Sequence, residues 1–207
     1  MILKKCFALI FILSLSTSVF AQVDSLLLSL DNGKEEKTPL LPKKMMFTQR
    51  LFWGEKGLLR ITGIAPKLTD EGRTKELKIR RAMLVTHQVL GYLTLGGMIG
   101  QGIVGTRLYR GEFDLLPLHK NLSTAVSIGY FTTASLSMFS PPPMLNRKGK
   151  SSTAKWHKRL AYIHFSAMVA TLILAERASE PAIKPYHRAA AFTAFGAYTV
   201  SMVVMTF

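Results

Sequence analysis

Residues 82–105 read AMLVTHQVLGYLTLGGMIGQGIVG, a stretch with no Asp, Glu, Lys or Arg. A helix rises about 1.5 Å per residue and needs roughly 20 apolar residues to cross the hydrocarbon core of a bilayer, so this block is long enough to span. Three similar blocks follow at about 119–140, about 157–175 and 187–207, joined by short connections at 106–118, 141–156 and 176–186. Short connections favour antiparallel neighbours. The expected fold is therefore all-α: an integral membrane, up-down four-helix bundle over residues 82–207. Pro141, Pro142 and Pro143 close the second span, because proline cannot continue a helix. Gly96, Gly97, Gly100, Gly102 and Gly105 leave one side of the first span nearly bare, which lets a neighbouring helix or a flat cofactor approach. No internal sequence repeat is convincing apart from the placement of histidine.

Working upstream, residues 70–81 carry a helix start at Thr69-Asp70-Glu71, with an N-cap oxygen and acids in the first turn. The basic run Arg73 to Arg81 leads directly into the first span. Residues 45–64, MMFTQRLFWGEKGLLRITGI, mix Phe47, Leu51, Phe52, Trp53, Leu58, Leu59 and Ile61 with Arg50, Glu55, Lys56 and Arg60. The segment is too charged to span. It either lies flat on the membrane surface with its apolar side down or packs as a short helix on the end of the bundle. Asn32-Gly33, Pro39 and Pro42 break the preceding arm. Residues 1–21 have a basic start (Lys4, Lys5), an apolar core from Phe7 to Leu15 and a small-residue cleavage pattern ending at Ala21, which reads as a signal peptide or an uncleaved anchor. Residues 22–81 then form a polar arm and juxtamembrane segment.

The net charge of +15 would suggest nucleic acid on a soluble chain. Here Lys and Arg flank apolar blocks, where they meet anionic headgroups, and no nucleic-acid partner is expected. The single cysteine, Cys6, lies in the signal-like segment. A mature chain without thiols holds no disulfide, Cys-ligated zinc or iron–sulfur cluster.

Five histidines carry the chemistry. His87, His119, His157 and His187 each lie near the N-terminal end of one span, and His164 lies two turns beyond His157. In an antiparallel arrangement His87 and His157 share one membrane face, and His119 and His187 share the other. Paired imidazoles inside a helical bundle can hold haem iron from both sides. Four positions after each of these histidines, on the same helix face, stand Gly91, Ser123, Ala161 and Ala191, which leave room for a macrocycle. His164 is followed at that spacing by the bulky Met168, which favours His157 as the ligand. Lys120, Lys158, Arg159 and Arg188 adjoin three of the histidines and can pair with haem propionates or anchor the helices at headgroups. Trp156 and Tyr186 read as interfacial aromatics.

On these four histidines and the His-x-x-Leu-Gly run at 87–91, residues 82–207 resemble the cytochrome b561 type of membrane protein. The resemblance implies a four-helix core, two haem b groups ligated by His87, His119, His157 and His187, and electron transport across the membrane. It also implies a donor such as ascorbate or a redox protein, and an acceptor such as ferric iron. The family core carries a flanking helix on each side, and here only the signal-like segment offers one, which leaves the donor site unassigned.

A cofactor-free membrane scaffold or accessory subunit is the alternative reading, and a small proton-coupled carrier a weaker third, since buried acids of the kind such carriers use are lacking. P-loop and dinucleotide-binding patterns are absent. The signal peptide places residues 22–81 outside the cytoplasm, in a cell inner (plasma) membrane. The Lys and Arg of 73–81 and 147–159 outnumber those of the opposite loops and favour inversion. The signal peptide is given precedence, because the first segment usually sets orientation.

Overall fold

The computed structural model describes residues 39–144 and 152–206. The signal-like segment with Cys6, most of the polar arm, and Arg147, Lys148 and Lys150 lie outside the described residues. Within them the secondary structure is helical, with no strand. Two short helices, α1 (Phe47–Trp53) and α2 (Leu58–Ile61), precede four long ones: α3 (Asp70–Tyr109), α4 (Leu116–Met138), α5 (Ser152–Ala175) and α6 (Lys184–Thr206).

The 40-residue α3 begins where the cap signal lies: the Thr69 hydroxyl accepts from the Gly72 amide at 3.1 Å, and Asp70 and Glu71 occupy the first turn. At about 1.5 Å per residue α3 is roughly 60 Å long, twice the hydrocarbon thickness, so its charged first three turns stand outside the apolar part. It ends at Arg110. Gly111 then adopts φ 107, a left-handed turn that glycine enters without a Cβ clash, and reverses the chain into a 3-10 turn at Phe113–Leu115. Pro117 follows in the first turn of α4, where its missing N–H costs nothing.

The four long helices pack together, α3 along α4 and α5 along α6, with α3 also meeting α6. The core is a line of buried side chains: Met98 of α3, Val126 and Tyr130 of α4, Met168 of α5, and Ala194 and Tyr198 of α6. Outward, Leu93, Ile103, Ile128, Ile163, Ile173 and Val203 are exposed. Helices α3, α5 and α6 are long and apolar enough to cross a membrane, compatible with a multi-pass membrane protein. Helix α4 is as long, but Asn121, Ser123, Thr124, Ser127, Thr132, Thr133, Ser135 and Ser137 lower its hydropathy. Part of that polarity is turned inward on the helix itself: Thr124 and Ser127 donate to the carbonyls of Lys120 and Ser123 at 3.1 and 2.7 Å.

Of the two readings of residues 45–64, the structure has the segment packed on the bundle end. Thr48 donates to the Met138 carbonyl at 2.6 Å, Trp53 donates from its indole to the Phe139 carbonyl at 2.8 Å, and Phe52 meets Phe139 edge to face. Beneath it, Glu76 is fully buried between Arg60 at 2.7 Å and Arg73, and Arg73 also donates to the Pro142 carbonyl at 3.1 Å. The Pro141–Pro143 turn that stops α4 thus supplies acceptors for α3. Phe47, Ile61 and Ile64 remain exposed on the outer side of the segment.

Candidate functional site: two histidine pairs

The antiparallel packing brings His87 of α3 to His157 of α5 with ring centres 6.3 Å apart, and His119 of α4 to His187 of α6 at 6.4 Å. The ring planes cross at 81° and 73°. With a metal–imidazole bond of about 2 Å and about 1.1 Å from the bonding nitrogen to the ring centre, two rings on opposite sides of one metal ion would sit about 6.2 Å apart. Both pairs are close to that spacing, with the rings meeting edge to face.

Each histidine is tied to the residue that stands fourteen positions after the histidine of a neighbouring helix. His87 donates from Nδ1 to the Thr133 carbonyl at 2.8 Å, and Thr133 is fourteen after His119. The Nδ1 of His157 lies 3.1 Å from the Ser201 carbonyl and 2.7 Å from the Ser201 hydroxyl, and Ser201 is fourteen after His187. His187 donates to the Thr171 carbonyl at 3.0 Å, and Thr171 is fourteen after His157. His119 meets Gln101, fourteen after His87, through the glutamine side chain at 3.2 Å. Fourteen residues are about four turns, so each helix presents a histidine and a second-layer partner on one face, about 21 Å apart. Because a carbonyl only accepts, Nδ1 carries the proton in His87 and His187. The distal nitrogen Nε2 is then the one with a free lone pair, the arrangement common to metal-ligating histidines.

The same register organises the layers between the pairs. Positions seven after the histidines are Thr94, Val126, His164 and Ala194; positions eleven after are Met98, Tyr130, Met168 and Tyr198. Helices α3 and α5 therefore share Met at position eleven, and α4 and α6 share Tyr there. Tyr130 and Tyr198 lie one turn from the His87/His157 pair; Met98 and Met168 lie one turn from the other. His164 has no histidine partner. Its Nδ1 shares a 2.6 Å hydrogen bond with the Tyr130 hydroxyl, and its ring packs on Tyr198 at 5.1 Å.

The other sequence-predicted residues fall at varied distances from the pairs. Gly91 takes a hydrogen bond on its carbonyl from Tyr198 at 3.2 Å, and a Cβ there would meet that hydroxyl at 3.5 Å. It makes room for a tyrosine. Gly105, which the spacing argument did not single out as a site residue, faces the His119 ring: a Cβ would come within 3.0 Å of Cε1. Lys120, Lys158 and Arg159 are exposed, the last stacked over Trp156 at 5.2 Å. Arg188 lies over the Tyr109 ring at 4.4 Å, and Lys184 lies over the same ring at 4.6 Å.

The donor set selects among metals. Among the described residues no three His, Cys, Asp or Glu side chains converge on one point. A bare zinc ion takes three or four protein ligands. A site with only two opposed imidazoles suits an iron whose other four ligands come from a macrocycle. Thr133, whose carbonyl holds His87, has a buried hydroxyl with no hydrogen-bond partner among the described residues. Two paired imidazoles are the protein ligand set that a bis-imidazole haem would take.

In comparisons with known proteins, no family model, curated protein or solved structure matches this chain.

Proposed function

We propose that the chain is a membrane b-type cytochrome, with four spans including α4, that holds two haem b groups and passes electrons from one face of the lipid bilayer to the other. The observation that carries this reading is the duplicated pair of imidazoles, each at metal-bridging separation and three of the four anchored through Nδ1 by a main-chain carbonyl. His87 and His157 would ligate one iron, and His119 and His187 the other. Haem, when bound, supplies a one-electron couple between ferric and ferrous iron.

The chain's own residues do the rest. The Thr133 and Thr171 carbonyls fix the ring orientations of His87 and His187 and raise the basicity of Nε2. The core between the pairs is Met98, Val126, Tyr130, Met168, Ala194 and Tyr198, and it would surround a group held at either pair with fixed dipoles in place of bulk water. Lys120 and Arg188 rim one pair, and Lys158 and Arg159 the other, as cations for propionates at the interface. On the signal-peptide reading, the His87/His157 face, with α1 and α2, would lie on the non-cytoplasmic side. A donor there is a small reductant such as ascorbate or a redox protein.

The test is vectorial. Purified protein is reconstituted into liposomes loaded with ferricyanide, and ascorbate is added outside. Wild type bleaches the trapped ferricyanide, and His87→Ala or His119→Ala does not. Equal rates for wild type, both variants and protein-free vesicles refute the proposal. The edge-to-face ring packing within each pair also stands without a guest, and in that case the chain is a cofactor-free scaffold or accessory subunit with the exposed Phe47, Ile61 and Ile64 as its contact surface. That reading gives colourless protein and histidine variants that assemble normally.

A further inference from the structure

The docked segment uses only one of its sides. In α1, Gln49 and Trp53 are buried and Thr48 bonds the end of α4, while Phe47, Arg50 and Leu51 are exposed. Phe47 and Leu51 are four positions apart and share one helix stripe, with Arg50 beside it. In α2, Arg60 turns inward to Glu76, and Leu58 and Ile61 stay exposed. Phe47, Ile61 and Ile64 are 77, 71 and 73% exposed, as bare as Leu93 and Ile173 on the outer sides of α3 and α5, at 67% each. Side chains of this size left in water forgo the transfer free energy that their burial supplies.

Their height along the bundle shows what they meet. The Thr133 carbonyl is level with His87, and the Met138 carbonyl, which holds Thr48, lies five residues further along α4, about 7.5 Å. On α3, Arg80 donates to the Ser140 hydroxyl at 3.0 Å, so the uncharged stretch that opens at Ala82 begins where α4 ends. Helix α1 therefore lies at the rim of the spans, where hydrocarbon gives way to headgroups, and its bare side continues the exposed surface of Met138 and Phe139. Arg60 of α2 reaches Glu76, six residues before Ala82, a little further out. Charge follows the same plan: over residues 43–70, Lys43, Lys44, Arg50, Lys56 and Lys67 are exposed, against the exposed acids Glu55 and Asp70.

We infer that α1 and α2 form a collar seated in the bilayer interface, and that the partner of their outer side is anionic phospholipid. Phe47 and Leu51 enter the acyl boundary, Ile61 and Ile64 sit in the headgroup layer above it, and the exposed cations meet lipid phosphates. An amphipathic segment binds an interface through buried apolar area together with attraction to anionic lipid. The Arg60–Glu76–Arg73 cluster sets the depth of the collar by tying it to α3. The inference rests on the membrane reading of the spans and needs no haem.

The experiment uses full-length protein with Cys6→Ser and one nitroxide-labelled cysteine, from Phe47→Cys, Ile61→Cys, Ile64→Cys, Leu93→Cys or Glu71→Cys, in nanodiscs of phosphatidylcholine and phosphatidylglycerol. Power saturation compares collisions with oxygen, which concentrates among acyl chains, and with a nickel chelate, which stays in water. The oxygen-to-nickel ratio should be several-fold higher at Phe47→Cys than at Glu71→Cys, intermediate at Ile61→Cys and Ile64→Cys, and highest at Leu93→Cys. Ratios at the three collar positions equal to that at Glu71→Cys mean that water covers this side and overturn the inference. Loss of collisions with both reagents there means that protein covers it, which overturns the inference and favours the scaffold reading. A Leu93→Cys ratio no higher than that of Glu71→Cys overturns the membrane reading of α3 and the collar with it. The second arm reads headgroup charge. The preference of lipids held at the protein surface for spin-labelled phosphatidylglycerol over phosphatidylcholine should fall several-fold when Lys43, Lys44, Arg50, Lys56 and Lys67 are all replaced by glutamine. An unchanged preference overturns the assignment to anionic lipid.

Discussion

Glu76→Ala isolates the element that docks the N-terminal segment on the bundle. Glu76 is fully buried and holds two guanidiniums, Arg60 at 2.7 Å and Arg73. Breaking a buried ion pair by removing one partner costs about 3–5 kcal/mol, because the remaining charge is left uncompensated. Here both arginines keep other acceptors. Arg60 retains the carbonyls of Trp53 at 3.0 Å and Gly54 at 3.1 Å, and Arg73 retains those of Pro142 and Pro143 at 3.1 and 3.4 Å. The expected loss is therefore near the lower end, about 3 kcal/mol. Arg60 belongs to the docked segment and Arg73 to α3, so the loss falls on docking. Amide exchange over residues 45–64 should accelerate by about 10²-fold, while exchange in α5 and α6 stays unchanged. Hydrogen-exchange mass spectrometry in detergent reads both regions at once. Glu76→Gln, which keeps an acceptor, should lie between. An acceleration below threefold, or one spread evenly over all helices, would refute the clamp.

Further outcomes follow from the same geometry. His164→Ala should leave the haem content of the purified protein unchanged, because His164 bonds Tyr130 and faces no second histidine, whereas His157→Ala should remove about half. Gly97→Ala should lower thermal stability in detergent by about 1–3 kcal/mol, since its Cβ would come within 2.9 Å of Val126, while Gly96→Ala, with nothing within 4 Å, should be neutral or slightly stabilising. Trp53→Phe removes the 2.8 Å bond to the Phe139 carbonyl and should cost about 1 kcal/mol, seen as faster proteolysis of residues 45–64.

The partition of the histidines between the two faces was legible because it needs only helix direction: short loops force alternate polarity, and each histidine opens its span. The start of α3 was legible because Thr69, Asp70 and Glu71 carry a local capping signal. The fourteen-residue register escaped notice for a physical reason. Its partners are main-chain carbonyls, which any residue supplies, so Thr133, Thr171 and Ser201 need share no side-chain chemistry with Gln101. The layers at seven and eleven positions hold Thr, Val, His and Ala, then Met, Tyr, Met and Tyr, a repeat of positions more than of letters. The docking of residues 45–64 was open between two readings because its contacts, from Thr48 to Met138 and from Trp53 to Phe139, join segments about ninety positions apart. Helix α4 reads as a span by length, yet with its Ser and Thr content it is not among the helices long and apolar enough to cross a membrane.

Iron and haem content per chain test the central claim most directly. Full-length protein is purified from haem-replete cells and assayed by pyridine haemochrome against amino-acid analysis. Two haem b per chain, falling to one in His87→Ala and in His119→Ala and to none in the double variant, is the predicted result. A wild-type ratio near zero under those conditions would contradict it.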